Sequence, residues 1–177
     1  DFYESGKIHF IGVSNWTTQR IEEANKFAKE NGMEPIRISQ INYSLAHSSV
    51  ETFGDNTLVC MDTKEFRWYK KHDFPVMAFS PQAKGFFAKL AKGDAANNLP
   101  EGQYAGPANL ARLAKVKQLS EQTGDTPAKI TLGYLNSQPF FVSSVFAVTK
   151  LWQLDEDMEA QDLTYDPKTV AFLENMI

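Results

Sequence analysis

Apolar positions along the chain change period repeatedly, and the changes mark out its elements. From Lys7 to Val13 the residues Ile8, Phe10 and Val13 alternate loosely, which predicts a strand; the run stops on two small polar residues, Ser14 and Asn15. The following stretch, TTQRIEEANKFAKENG, places Ile21, Ala24 and Ala28 on one face with Phe27 beside them, the spacing of a helix. Thr17 or Thr18 suits its N-cap, Glu22 and Lys26 form an i,i+4 pair, and Gly32 provides the left-handed stop.

The same strand-then-helix alternation continues. Ile36 to Tyr43 predicts a second strand with Gln40 near its C-terminal end, and 44–61 reads as loop or broken helix. Asp62 and Glu65 make a D-x-x-E capping signal for a helix whose Phe66 and Tyr69 face the core. FPVMAFSP is a short third strand ended by Pro81, after which QAKGFF turns away. From Ala91 to Pro107, two Asn, two Pro and three Gly predict an exposed loop. A helix over 109–123 carries Leu110, Leu113, Val116 and Leu119 on one stripe and stops at Gly124; Thr126 and Pro127 start another. FVSSVFAV is the fourth strand, KLWQLDEDMEAQ a helix, and Asp166 with Pro167 opens the last one. Such alternation implies α/β architecture, with parallel strands joined by right-handed crossovers. No repeat, low-complexity segment or charge block divides residues 1–177, so a single domain is expected.

Composition narrows the function. With 177 residues, 42% of them hydrophobic, the chain can bury about two thirds of its unfolded surface, and 13 Phe supply much of the core volume. Eighteen basic against 22 acidic residues, without a basic run, argue against nucleic acid. Cys60 is the single cysteine, which fits a reducing, cytoplasmic setting. No stretch approaches the roughly 20 apolar residues of a membrane span. His9, His47 and His72 are too scattered for a metal or an acid-base group, and Asp155 with Asp157 reads as the wet face of a helix. The start at Asp1 suggests a processed chain or a piece of something longer.

Five ordered segments carry a family resemblance: GKIHFIGVSNW (6–16), SQINYSL (39–45), VMAFSPQAKGFF (76–87), GDTPAKITLGYL (124–135) and QLDEDMEA (153–160). Together they resemble the fifth to eighth strands and loops of the aldo-keto reductases, NADP(H)-dependent (β/α)8 barrels. A full barrel needs roughly 250 residues, so the resemblance implies a C-terminal half-barrel. It further implies that the catalytic Asp, Tyr, Lys and His lie outside this chain, which would then be inactive alone.

By that resemblance, Ser14, Asn15 and Gln40 hold the nicotinamide carboxamide, and Phe79 stacks under the nicotinamide ring. Ser80, Gln82, Lys84 and Gly85 approach the pyrophosphate, and Thr149, Lys150, Gln153 and Asp157 hold the adenosine with its 2′-phosphate. Three positions depart from the family pattern: Gln82 for a usual Leu, Ala147 for a usual Gly, and Asp157 for a usual Asn. No Arg stands in the last stretch. Each residue also has a plainer reading: Ser14 and Asn15 as a cap and turn, Phe79 as core, Lys84 and Lys150 as solvated lysines. Two functions follow as expectations. One is the cofactor-holding half of a carbonyl or alcohol reductase; the other is a non-catalytic half-barrel used for binding. Four parallel strands leave two open edges and an uncovered inner face, so pairing with a missing half or a second copy, as a homodimer, is expected.

Overall fold

The computed structural model of the chain describes residues 2–93 and 103–174. Four strands form one parallel sheet in sequential order: β1 (Ile11–Ser14), β2 (Ile36–Asn42), β3 (Val76–Phe79) and β4 (Val142–Val145). Between β1 and β2 lies α1 (Thr18–Glu30); α2 (Val50–Phe53) and α3 (Thr63–His72) connect β2 to β3. After β3 come a 3-10 turn at Ala83–Gly85, then α4 (Phe86–Ala91), α5 (Pro107–Thr123) and α6 (Pro127–Asn136); α7 (Leu151–Glu159) and α8 (Pro167–Glu174) follow β4. The centre of the expected 91–107 loop, 94–102, lies outside the described residues.

Local chemistry sets most of these boundaries. Thr17 caps α1 by accepting from the Arg20 N–H, Thr126 caps α6 through Lys129 N–H, and Asp166 accepts from Lys168 and Thr169 N–H at the start of α8. Gly124, at φ +80, ends α5 in the left-handed region. Gly133 is required for a different reason, since a Cβ there would lie 2.8 Å from the Tyr165 ring.

Strand alternation divides the sheet into two unlike faces. Ser39, Ile41, Val76 and Ala78 point to one side and are fully buried, joining Tyr69, Phe86, Phe87, Val116, Ile130 and Leu135 in the core. The opposite side carries Gln40, Met77, Phe79 and Ser143, all half-buried, with Ser14 and Val145 exposed.

Several sequence expectations are corrected here. The first strand begins at Ile11, not Lys7, because its partner ladder begins at Ile36; Phe10 is 71% exposed and Ile8 40%. Phe27 and Leu110 also face outward, at 58% and 51% exposure. Glu22 does not pair with Lys26, which sits 3.9 Å from Glu30; it accepts a 2.7 Å hydrogen bond from Trp68 Nε1, tying α1 to α3. The capping signal at 62–65 is half realised. Asp62 accepts from Glu65 N–H, but the Glu65 carboxylate turns away to accept from Thr18 N–H and Thr18 Oγ1 at 3.1 and 3.3 Å. Asp155 is exposed as expected, whereas Asp157 is only 5% exposed and so does not belong to a wet face.

Candidate functional site

The C-terminal ends of the strands gather most of the residues singled out from the sequence. In the β1–β2 ladder Ser14 stands opposite Gln40, and Gln40 stands opposite Met77 in the next. Phe79 pairs with Asn42 and with Val145, one step further along on the same face. Ser14, Gln40 and Phe79 thus share one side of the sheet and one end of it. In open parallel sheets, this is the end at which ligands are held.

Backbone strain concentrates at the same end. Asn15, directly after β1, has φ 56°; Ser80, directly after β3, has φ 52°; Ala83 and Lys84 follow at 50° and 55°, and Gly85 at 80°. Left-handed non-glycine residues are uncommon and persist where surrounding contacts over-determine them. Those contacts are present. Asn15 N–H donates to Gln40 O at 2.9 Å while Asn15 Oδ1 accepts from Val59 N–H at 3.1 Å. Ala83 N–H donates to Ser80 O and Gly85 N–H to Gln82 O, both at 2.9 Å.

A cleft of about 640 Å³ opens beside β3 and β4, within the usual range for small-molecule sites. One wall is the segment from Ser80 to Lys92, the other Val145 to Asp157, and Pro127 to Thr131 of α6 lies behind. Of the twelve residues expected to hold cofactor, Ser80, Gln82, Lys84, Gly85, Thr149, Gln153 and Asp157 line it. Lys150 is exposed and lies outside the lining, as do Ser14, Asn15, Gln40 and Phe79 on the neighbouring sheet end.

Hydrogen bonds hold the two walls in place. Gln82 Nε2 donates to Asp157 Oδ1 at 2.6 Å, joining positions 75 residues apart. Burial pushes the Asp157 carboxyl above its ordinary range, and the Gln82 amide opposes that shift. Gln153 Oε1 accepts from Thr149 N–H, Thr149 Oγ1 and Lys150 N–H, which orders the turn into α7. Lys84 Nζ donates to Gln103 Oε1 at 2.7 Å and lies 6.0 Å from the Phe53 ring centroid.

Sequence reasoning missed a buried polar network next to this site. Asn42 donates to Phe79 O at 3.3 Å and accepts from Ser48 Oγ at 2.6 Å. Asn109 accepts from His47 N–H at 2.7 Å and donates to the carbonyls of His47 and Tyr104. Arg112 donates to Leu45 O. The Tyr104 hydroxyl, raised in pKa chiefly by burial, neighbours Asn42 and Ser80. Asn42 had a readable signal, being two residues beyond Gln40 on the same face of β2; Asn109 had none, since it reads as an ordinary helix residue.

The geometry defines an α/β protein with a cleft beside the C-terminal ends of its strands. The Aldo/keto reductase family model matches residues 1–177, and the chain belongs to that family. It is similar to the L-glyceraldehyde 3-phosphate reductase of Escherichia coli K12, 23% identical over 190 residues that cover 98% of this chain and 51% of the relative. The same enzyme of E. coli O157:H7 matches with the same identity and coverage. Among solved structures, the thermostable aldo-keto reductase Tm1743, crystallised with the inhibitor epalrestat, superposes with a TM-score of 0.64 at 18% identity. That match covers 98% of this chain and 50% of the other, and it supports the fold. The chain therefore spans about half the length of the curated relatives it matches.

Proposed function

We propose that residues 1–177 form one domain, a C-terminal half-barrel, that holds a nicotinamide dinucleotide for the reduction of a carbonyl or oxidation of an alcohol. The observation that carries this reading is the joining of strained strand ends to a cleft whose lining includes Lys84 and Gly85. The donor set fits such a cofactor. Ser14, Asn15 and Gln40 offer the hydroxyl and amide groups that match a carboxamide, and Phe79 offers an aromatic face on the same side of the sheet. Ser80, Gln82, Lys84 and Gly85 suit a pyrophosphate, while Thr149, Lys150, Gln153 and Asp157 suit an adenosine. When bound, the reduced cofactor supplies hydride to a carbonyl carbon; the proton for the oxygen comes from residues outside this chain. NADP(H) is the form implied by the resemblance.

The half-exposed inner face of the sheet suits a covering partner, either the other half of a barrel or a second copy in a homodimer, in the cytoplasm. A phosphorylated small aldehyde, on the pattern of the E. coli relative, is the first substrate to try. The test is calorimetric titration of the chain with NADH and NADPH, alongside a turnover assay with L-glyceraldehyde 3-phosphate. Saturable binding without turnover is the expected result. No heat with either dinucleotide removes the cofactor reading and leaves a non-catalytic half-barrel. That second reading draws on the Gln82–Asp157 bond, which spans the cleft from wall to wall.

A further inference from the structure

The charged groups of the cleft stem from different segments, although the Lys92 ammonium reaches across to the Trp152 ring of α7. Lys84, Lys89 and Lys92 stand on the segment that follows β3, whereas Glu156 and the buried Asp157 stand on α7. No arginine is among the described residues that line it. The lysines are themselves engaged: Lys84 with Gln103, Lys89 with Lys84 O at 3.0 Å, and Lys92 at 5.2 Å over the Trp152 ring. Among the described residues, the hydrogen bond that ties Asp157 to the lysine wall comes from Gln82, a neutral amide.

A ligand with one anionic group and one neutral, donor-bearing end matches this division. The pyrophosphate of a dinucleotide belongs on the lysine wall, and a ribose with free hydroxyls belongs against α7, because a carboxylate accepts from a hydroxyl and repels a phosphate. A 2′-phosphate carries about −1.5 to −2 charges near neutral pH. Beside a buried carboxylate that repulsion is poorly screened by salt. We propose that the cleft selects the dinucleotide lacking a 2′-phosphate, NAD(H), and that Asp157, held in place by Gln82, is the specificity-determining residue. This inference rests on the reading of the α7 wall as the adenosine end, and it reverses the NADP(H) expectation drawn from the resemblance.

The experiment is calorimetric titration of the 177-residue chain with NADH, NADPH, 5′-AMP and adenosine 2′,5′-bisphosphate, for wild type, Asp157→Asn and Glu156→Gln. NADH is expected to bind about tenfold or more tightly than NADPH, and 5′-AMP more tightly than the bisphosphate by a similar factor. Asp157→Asn is expected to bring each ratio close to one, mainly by improving the phosphorylated ligand. Asn keeps the acceptor oxygen that Gln82 uses, so the wall is retained; Glu156→Gln, on the less buried neighbour, is expected to shift the ratios in the same direction by a smaller factor. NADPH binding as tightly as NADH, or more tightly, overturns the inference while leaving the proposed function standing. An unchanged ratio in Asp157→Asn removes Asp157 as the selector. Absence of binding by all four ligands overturns the cleft reading and this inference with it.

Discussion

Glu65 and Asp157 are both carboxylates, both 5% exposed and both raised in pKa by burial, yet they occupy unlike regions of the molecule. Glu65 sits in the seam between α1 and α3, where Thr18 supplies a backbone N–H and a hydroxyl to its two oxygens. Asp157 sits on the wall of a cleft and receives an amide from across it. Burial alone does not distinguish a carboxylate packed in a helix seam from one set on a cleft wall; the direction it faces does. The same contrast runs through β2, where Ile41 faces the helices with no exposure and the adjacent Gln40 faces the half-open side.

The largest expected effect tests the packed side. Ile41→Ala should cost about 3 kcal/mol by urea unfolding, from lost burial and a residual cavity. Its neighbour sharpens the contrast: Gln40→Ala should change stability by less than about 0.5 kcal/mol and weaken dinucleotide binding by about tenfold in titration. A Gln40 variant as destabilised as the Ile41 variant would erase the distinction between the two faces.

The carboxylate pair offers the next test. Glu65→Ala strands the Thr18 N–H and should cost about 2 kcal/mol, again by urea unfolding. Asp157→Ala strands no backbone group among the described bonds and should cost about 1 kcal/mol or less. Equal losses would place Asp157 with the packing rather than with the cleft.

Titration gives a subtler effect with a defined sign. Burial raises the Glu65 pKa above its ordinary value of 4.5, against the lowering effect of the Thr18 hydrogen bonds. A carboxyl whose folded pKa exceeds its unfolded one stabilises fully below the unfolded value, and that stability is lost as pH rises through the folded value. Asp157 contributes with the same sign. Unfolding free energies measured from pH 4 upward should therefore contain a component that declines with pH. Glu65→Gln should remove part of it while keeping an acceptor for Thr18 N–H; an unaltered profile would show that Glu65 titrates alike in both states. The smallest effect, about 1 kcal/mol in thermal unfolding, is expected from Thr126→Ala, which removes the α6 cap.

Much of this was legible beforehand, and the reasons are local. The order of four strands and their helices follows from hydrophobic period. The caps at Thr17, Asp62, Thr126 and Asp166, and the stops at Gly32 and Gly124, follow from hydrogen-bond and φ requirements that act within about four residues. Ser14, Asn15 and Gln40 stood out as polar groups at predicted strand ends, whereas Phe79 and the cleft residues were named through the family resemblance. Chain-local chemistry could not foresee that Phe10 and Phe27 would lie exposed, because exposure depends on what packs opposite. Nor could it place Asn109 against His47, 62 residues away, or join Gln82 to Asp157. Those meetings are fixed by the parallel register and the helix packing that bring distant segments together. In this protein the sequence by itself determined most of the elements, because caps and hydrophobic period act locally, while only the tertiary structure decided which distant segments meet as the walls of the cleft.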